Sequence, residues 1–305
     1  MSVALRVVGL TRRFAATTAV DRLSLDVASG EIFALVGPDG AGKTTLMRLV
    51  CGALAADEGR ALVDGVDVIS QTARVQSAIG YMPQRFSLYP DLSVMENLRF
   101  YGEIFGIPRS DFETRARSLL ADFALDAFAD RLAEALSGGM KQKLALACTL
   151  IHRPSTILLD EPTSGVDPVS RREFWRLLYG INRSGTTIFV STPYMDEAER
   201  ATRVAFMTDG KIVSIGTPAE IKAALHGEVV EVRSSRYRDA RRALRGISSV
   251  RSVEMFGDAL HVLVASAEAS IPEFRHRLQA IGIDDAAFRS VPPSLEDAFV
   301  ARLSA

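Results

Sequence analysis

The chain has 305 residues, more than one average domain and enough for about two domains with buried cores. Its 36 lysine and arginine residues nearly balance 37 aspartate and glutamate residues, so net charge gives no support to a nucleic-acid partner. No apolar run approaches the roughly 18 residues of a membrane-spanning helix, and the first residues lack the order of a secretory signal, so a cytoplasmic location is expected.

Short strand-like runs open the chain and lead into a glycine-rich loop. The apolar run 32–36 precedes the sequence GPDGAGKT, which fits the pattern G-x-x-x-x-G-K-[ST]. Glycines in this pattern let backbone N–H groups turn toward an anion at the start of a helix. We therefore predict a phosphate-binding loop, in which Lys43 pairs with the β and γ phosphates and Thr44 ligates Mg²⁺.

The pattern turns helical between about residues 86 and 151. Ser93 begins the first of its helices with a capping box, followed by an apolar face at helical spacing. The later run LSGGMKQ places Ser137 where it can cap a helix, and Gly138 and Gly139 allow close approach of an anion. Taken alone, this run is an ordinary capped helix. The region predicts a helical subdomain inserted into the sheet domain.

A short apolar run, 157–159, ends in two acids, Asp160 and Glu161. A buried parallel strand delivers carboxylates in this way to the sheet edge where a ligand binds. Asp160 suits the shell of Mg²⁺, and Glu161 can polarise the water that attacks a γ phosphate. Such a strand end is common by itself, but with GPDGAGKT it predicts a nucleoside triphosphate site.

In combination, these motifs resemble the nucleotide-binding subunit of the ATP-binding cassette (ABC) transporter family, over about residues 3–225. The resemblance implies ATP and Mg²⁺ as ligands and an α/β fold, with a P-loop NTPase sheet core and a helical subdomain. It also implies that no single copy has a complete site, because the LSGG element contacts the γ phosphate held by the opposite subunit. The implied phosphate-loop residues are Gly37, Pro38, Asp39, Gly40, Ala41, Gly42, Lys43, Thr44 and Thr45.

The other motif positions take their roles from the same resemblance. Phe14 resembles the aromatic residue that stacks on adenine, and Gln84 the glutamine that contacts Mg²⁺ and links the site to the membrane partner. Asp167, in SGVD, resembles part of the loop that crosses between the two sites. Each of these three also has a purely structural explanation. Phe14 could be an apolar residue at a strand edge, and Gln84 could be a polar surface residue in a loop. Asp167 could begin a turn with Pro168. The implied catalytic residues are Glu161, Lys43 and Gln84, the metal ligands Thr44, Gln84 and Asp160, and the further nucleotide contacts Phe14, Ser137, Gly138, Gly139 and Asp167.

The sequence departs from the family after the strand-like run 186–191. The family places there a histidine that reaches the γ phosphate, and this chain has Pro193. Proline offers neither a side-chain donor nor a backbone N–H group. We expect ATP binding to persist and Glu161 to support slower hydrolysis, with Thr192 or water filling part of the gap. The rival interpretation is a site kept for binding only, or one paired with a better-equipped second cassette.

A change of pattern predicts a second domain after the ATPase domain, which would cover residues 1–227. This second domain would cover residues 228–305, and residues 228–290 read in order strand, helix, strand, strand, helix and strand, which is typical of a small ferredoxin-like α+β domain. The tail PPSLEDAFVARL resembles the ending of cassette subunits from bacterial drug and polysaccharide exporters. Arginines on the first of these helices are interpreted as a solvated face.

The sequence therefore predicts a cytoplasmic ATPase subunit, peripheral at the inner face of the cell membrane. It would pair with a second nucleotide-binding subunit, identical or different, and drive a separate integral membrane permease as an exporter; nucleic acid is not an expected partner. Two alternatives stay open. One is a nucleotide-binding module with weak or no turnover, because of Pro193. The other is a soluble cassette protein acting on the ribosome or DNA.

Overall fold

The computed structural model describes residues 2–85 and 88–303. The chain divides into two compact units, up to Val213 and from Ser214 onward, and the division falls within a strand. Two short 3-10 turns, Asp126–Phe128 and Ala133–Ala135, lie in the first unit. Its other elements are β1 (Val3–Phe14), β2 (Thr17–Ala28), β3 (Ile32–Val36), α1 (Lys43–Val50), β4 (Glu58–Val63), β5 (Val66–Asp67), α2 (Thr72–Ala78), β6 (Ile79–Met82), α3 (Val94–Ile104), α4 (Arg109–Asp122), α5 (Gly138–Leu150), β7 (Thr156–Asp160), α6 (Pro168–Arg183), β8 (Thr187–Thr192), α7 (Met195–Ala198), β9 (Arg203–Thr208) and β10 (Lys211–Gly216).

A six-stranded sheet in the order β10-β9-β3-β8-β7-β6 forms the centre of the first unit. The strands from β9 to β6 pair in parallel, and β3, β7 and β8 are buried along their whole length. Val36 pairs with Thr192, and Asp160 pairs with Ser191. The ends of β3, β8 and β7 therefore lie side by side, which brings the glycine-rich loop, the Pro193 turn and the two acids to one edge.

A second, antiparallel sheet in the order β2-β1-β4-β5 completes the sheet lobe. Its apolar side chains pack with α1 and β3 into one hydrophobic core, which contains Leu46, Met47 and Phe33. Phe33 meets Phe189 of β8 edge to face, with ring centroids 5.4 Å apart. This core fixes α1 against the parallel sheet, so the start of α1 faces the sheet edge at which the acids lie.

The helices α3, α4 and α5 occupy the region for which the sequence predicts a helical insert. The predicted capping box is confirmed: the Ser93 hydroxyl accepts from the Glu96 N–H, and the Glu96 carboxylate accepts from the Ser93 N–H. Buried Asn97 fixes the approach to α3, since its amide donates to the carbonyls of Leu92 and Ser93. Phe86, where the predicted insert begins, lies outside the described residues.

The second unit contains the predicted ferredoxin-like arrangement. Its sheet order, β12-β13-β11-β14, has every neighbouring pair antiparallel, and two of its helices pack with the sheet into a separate core. The unit begins earlier than the predicted boundary at residue 227, because α8 packs against α11. None of the helices in the described part of the chain is long and apolar enough to cross a bilayer. The elements are α8 (Pro218–Ala223), β11 (Glu228–Arg233), α9 (Tyr237–Arg245), β12 (Val250–Phe256), β13 (Ala259–Val264), α10 (Ala267–Gln279), β14 (Ala287–Val291) and α11 (Leu295–Leu303).

Candidate active site

The glycine-rich loop lies between β3 and α1 and has room for glycine alone at two positions. A Cβ on Gly37 would lie 2.1 Å from the carbonyl oxygen of Met207, and a Cβ on Gly42 would lie 2.1 Å from that of Ala19. Gly42 also has φ +103°, and Gly40 has φ +82°, in the left-handed region that side chains disfavour. The loop therefore wraps closely around the start of α1, as an anion cradle requires.

Lys43 opens α1 and turns its ammonium group back into the loop. The Nζ atom donates to the carbonyl oxygens of Gly37 at 2.8 Å and Pro38 at 3.0 Å. It also lies 3.1 Å from Oε1 of Glu161, and the Lys43 side chain is buried. Thr44 and Thr45 follow in the first turn of the helix and are half-buried. A cation held at the mouth of a backbone cradle can bind phosphate oxygens.

Asp160 ends β7 with one carboxylate oxygen bound and the other without a partner. Its Oδ1 accepts from the Ser191 hydroxyl at 2.7 Å, whereas Oδ2 is buried and has no hydrogen bond within the described residues. Such an oxygen beside a phosphate cradle fits Mg²⁺, which prefers oxygen ligands and completes its shell with phosphate and water. Residues 2–85 and 88–303 contain no group of three or more His, Cys, Asp or Glu residues able to hold a metal by themselves.

Glu161 follows with a strained backbone and two polar partners. Its φ of +48° lies in the left-handed region, which is uncommon outside glycine and is often found at functional sites. The carboxylate lies between the Lys43 ammonium, at 3.1 Å, and the side-chain amide of Gln84, which donates at 3.0 Å. The structure thus brings together Lys43, Gln84 and Glu161, the three residues for which the sequence predicts catalytic roles.

The turn after β8 contains Pro193. Here the structure differs from the expectation that Thr192 could fill part of the gap left by the histidine. The Thr192 hydroxyl is buried, donates to Glu197 at 2.7 Å and accepts from the Tyr194 N–H at 3.1 Å. Because this hydroxyl is taken up by protein partners, Thr192 does not fill the gap left by the family's histidine. Water, the other substitute considered from the sequence, stays a prediction.

The LSGG element begins α5 as predicted. Ser137 is the N-cap and accepts from the Met140 N–H at 3.3 Å. A Cβ on Gly138 would meet no atom within 4 Å, whereas a Cβ on Gly139 would lie 2.8 Å from the Ser170 hydroxyl. Among the described residues, Gly139 therefore packs against α6 and not against the phosphate loop. Gly138 presents an uncovered backbone surface at a helix N-terminus, where anions are stabilised.

Asp167 caps α6, beside the LSGG element. Its Oδ1 accepts from the N–H groups of Val169 and Ser170, both at 3.0 Å, and Pro168 takes the first helical position. Side-chain and backbone hydrogen bonds from Ser170 lower the pKa of Asp167 below its ordinary value. The structure therefore supports the capping role, and contact with a nucleotide stays a prediction.

Phe14 lies at the end of β1 with its ring 45% exposed. The Arg12 guanidinium stands over the ring, 4.8 Å from its centroid, and binds Asp57 at 2.9 Å. A partly exposed aromatic ring fixed by a neighbouring cation is a suitable platform for a purine. Stacking of adenine on Phe14 stays a prediction.

A groove of about 340 Å³ adjoins Gln84. Apolar residues from the loop before α3 and from the segment leading to α5 line part of it, together with the polar side chains of α5. Because Gln84 also contacts Glu161, this groove connects directly to the site. Its lining includes Gln84, Arg85, Leu88, Pro90, Ala133 and Gln142.

The sequence motifs do not indicate three residues that contact the site, Ser191, Glu197 and Thr163. Ser191 binds both acids, because its hydroxyl donates to Asp160 and accepts from the Glu161 N–H at 3.0 Å. Glu197 accepts from Thr192 and from the Thr163 hydroxyl, the latter at 2.6 Å. No spacing in the sequence indicates these contacts, since they depend on the pairing of β7 with β8 and on the short α7.

Comparisons with known proteins agree on one family. A model described as ABC transporter matches residues 20–164. The probable multidrug ABC transporter ATP-binding protein YbhF of Escherichia coli is 39% identical over 96% of this chain, which spans only half the length of that relative. The Nod factor export ATP-binding protein I of Ralstonia nicotianae is 34% identical, covering 97% of this chain and 92% of the relative. The solved structure of cbiO1 from Clostridium perfringens, part of the ABC transporter complex cbiONQ, has a TM-score of 0.68 and 27% identity, covering 73% of this chain and 92% of that one.

Proposed function

This chain belongs to the ABC transporter family, and from that premise we propose that it is an ATPase subunit that drives a separate membrane permease. One observation carries the proposal: Lys43, Gln84 and Glu161 converge at the phosphate loop, at the edge where Asp160 also ends its strand. A cation, an amide and a carboxylate in one cluster supply what phosphoryl transfer needs, namely charge neutralisation, positioning and an oriented nucleophile.

ATP binding is assigned to the loop between β3 and α1. The backbone N–H groups of residues 37–45 and the start of α1 would hold the phosphates, with Lys43 on the β and γ phosphates and Phe14 under the adenine. Thr44, Gln84 and Asp160 would hold Mg²⁺, which supplies neutralisation of charge on the phosphates when it is bound. The unpartnered Oδ2 of Asp160 supports this assignment.

Hydrolysis is assigned to Glu161 as the residue that orients and polarises the attacking water. Its carboxylate is held in place by Gln84 and Lys43, and its backbone by Ser191. A general base must lie within hydrogen-bond reach of the proton that it accepts. Pro193 supplies neither a side-chain donor nor an N–H group, so a rate below that of a site with a histidine is expected.

Dimerisation around two ATP molecules would complete each site. Within the described chain, Gly139 packs on α6, and Gly138 leaves a surface that no atom of the chain covers. The N-terminus of α5 would then meet the γ phosphate held by the opposite subunit, where its partial positive charge stabilises an anion. Ser137, Gly138, Gly139 and Asp167 would form the partner's half of the site.

A membrane permease is the proposed coupling partner. The groove beside Gln84 is open and partly apolar, and Gln84 joins it to Glu161 through a hydrogen bond. A short helix bound in the groove would therefore affect the position of Glu161 through Gln84. This assignment implies a cytoplasmic location, peripheral at the inner membrane face. Among the relatives, one is named a probable multidrug ABC transporter subunit and another a Nod factor export subunit, which favours the export direction.

Pro193 favours one alternative, a nucleotide-binding module with little or no turnover. Steady-state ATPase of the purified chain, compared with Glu161→Gln, separates the two. The proposal expects turnover in the native chain and its near abolition in the variant. Equal and measurable rates in the native chain and the variant would overturn the assignment of Glu161. Intact ATP binding without turnover in the native chain would support the alternative.

Purification of the tagged chain from membranes in mild detergent tests the partner. The proposal expects a polytopic membrane protein in stoichiometric amount. Ribosomes or nucleic acid in its place would reverse the assignment to a transporter.

A further inference from the structure

A buried carboxylate, Glu197, joins the loop after Glu161 to the turn after β8. Glu197 lies in α7 and is 1% exposed. Its Oε1 accepts from the Thr163 hydroxyl at 2.6 Å, and its Oε2 accepts from the Thr192 hydroxyl at 2.7 Å. Each hydroxyl donates to a different oxygen of this carboxylate. Each oxygen of Glu197 therefore fixes a different loop.

Hydrogen bonds hold the backbone at Glu161, the proposed catalytic acid, and the loop that follows it. Before Glu161, Ser191 accepts the Glu161 N–H through its carbonyl, at 3.1 Å, and through its hydroxyl, at 3.0 Å. After Glu161, the carbonyl of Glu161 accepts the Ser164 N–H at 3.1 Å, and Thr163 is bound by Glu197. The segment that contains Glu161 is thus fixed to Ser191 of β8 at Glu161 itself and to Glu197 of α7 at Thr163.

These hydrogen bonds explain why the backbone of Glu161 keeps an unusual conformation. Its φ of +48° is a strained value for a residue with a side chain, and such values persist only where the surroundings over-determine them. Without Glu197, the buried hydroxyls of Thr163 and Thr192 would lose their acceptor, and the segment after Glu161 could relax. Relaxation would move the carboxylate away from Lys43 and Gln84.

We propose that Glu197 is a positioning residue for Glu161, acting through Thr163, and that its bond to Thr192 fixes the Pro193 turn from inside the protein. The proposal rests on the ATPase function proposed above. Thr192 also accepts the Tyr194 N–H, which closes the turn around Pro193. The turn is therefore held by protein groups and does not require a side chain at position 193 that reaches the nucleotide.

Kinetics of an isosteric substitution test the role. Glu197→Gln should lower kcat about 10- to 100-fold, the range seen when residues that orient catalytic groups are replaced, and change the KM for ATP less than about threefold. Asp196→Asn is the matched control, because Asp196 is exposed and pairs with Arg171 on the surface. Thr163→Val should show the same loss, and Thr163→Ser should restore the rate. A native kcat in Glu197→Gln would overturn the proposal.

A double substitution tests whether Glu197 acts through Glu161. In a Glu161→Gln background the residual rate should be unaffected by Glu197→Gln, since the residue to be positioned has already lost its function. A further fall of about tenfold in the double variant would overturn the proposed route and indicate a general loss of structure.

Hydrogen exchange gives a readout that needs no turnover. The N–H groups of Ser164 and Val166 bind the carbonyls of Glu161 and Thr163, so they report on this loop. In Glu197→Gln they should exchange faster than in the native chain or in Asp196→Asn. Unchanged exchange would overturn the positioning role. Faster exchange in a chain that never hydrolyses ATP would instead retain the positioning role and reject the proposed ATPase.

Discussion

The ammonium group of Lys43 lies 3.1 Å from a carboxylate oxygen of Glu161, and both side chains are almost fully buried. The same ammonium donates to two carbonyls of the phosphate loop, and the second carboxylate oxygen accepts from Gln84. Removing one member of a buried ion pair leaves the other uncompensated. Phosphates entering the loop would therefore compete with Glu161 for Lys43, while Gln84 and the Ser191 contacts would continue to orient Glu161 toward the attacking water.

Glu161→Gln should separate ATP binding from hydrolysis. Glutamine neither competes as an anion for Lys43 nor accepts a proton, so kcat should fall at least about 100-fold while ATP binds as tightly as before or more tightly. Steady-state ATPase and equilibrium binding of ATP measure the two effects. Glu113→Gln is the control, because Glu113 is half-exposed and pairs with Arg99 on the surface, and it should change neither value.

Pro193→His should not slow hydrolysis. Histidine restores a side-chain donor and a backbone N–H at a turn where the Thr192 hydroxyl is already bound to Glu197, so kcat should stay equal or rise. Pro193→Ala restores the N–H without the imidazole and separates the two contributions. A histidine variant that melts like the native chain but turns over more slowly would contradict this prediction.

Gly138→Ala should leave the isolated chain intact and impair the assembled ATPase. The added Cβ meets no atom within 4 Å, so the melting temperature should shift by less than about 2 °C. If the nucleotide of a partner subunit approaches this backbone, the methyl group should lower kcat at least about tenfold. Gly180→Ala is the matched control, since its Cβ also meets nothing and it lies on the exposed face of α6. A native rate in Gly138→Ala would argue against such close approach.

In the second unit, Asp297 should make a stability contribution that is lost in acid. Nδ1 of His261 binds its Oδ1 at 2.9 Å, and the Ser294 hydroxyl donates to its Oδ2 at 2.7 Å. Burial raises the pKa of Asp297, but the bonds with His261 and Ser294 outweigh burial and lower the pKa below its ordinary value. Glu231 and Glu254 are the cross-strand neighbours of His261 in the same sheet.

Because the folded pKa of Asp297 is depressed, the folded state binds this proton less readily than the unfolded state. The contribution is complete above the ordinary carboxyl pKa of about 3.9 and is lost as pH falls through the lower folded value. Asp297→Asn should therefore destabilise the second unit by about 2 kcal/mol at pH 7 and by progressively less as the pH falls below about 3.9. Calorimetric unfolding across this range measures the difference, and a difference that grows toward acid would contradict the prediction.

The local features of the fold could be predicted from the sequence, because each depends on a few neighbouring residues. The caps at Ser93 and Ser137 are present, and the strand and helix order of the second unit is confirmed. The first predicted strand is longer than expected: β1 runs from Val3 to Phe14 with a bulge at Gly9, where φ is +58°. A bulge interrupts the alternation on which strand prediction relies.

The contacts that join the site's elements could not be predicted, because they depend on strands distant in the chain. Ser191 meets Asp160 only through the register between β7 and β8, and Glu197 meets Thr163 only because α7 folds back beside that edge. The motif residues alone therefore indicated Thr192 as a substitute for the missing histidine. The buried carboxylate of Glu197 is the physical reason why it is not.

In the proposed dimer, two chains would enclose ATP, with the phosphate loop of one facing the Ser137 cap of the other. Light scattering on Glu161→Gln with saturating Mg-ATP tests it most directly, alone and together with the co-purified membrane partner. We expect particles with two copies of the chain, and we expect that adding Gly138→Ala returns them to one copy. Single copies in Glu161→Gln, even alongside the membrane partner, would contradict it.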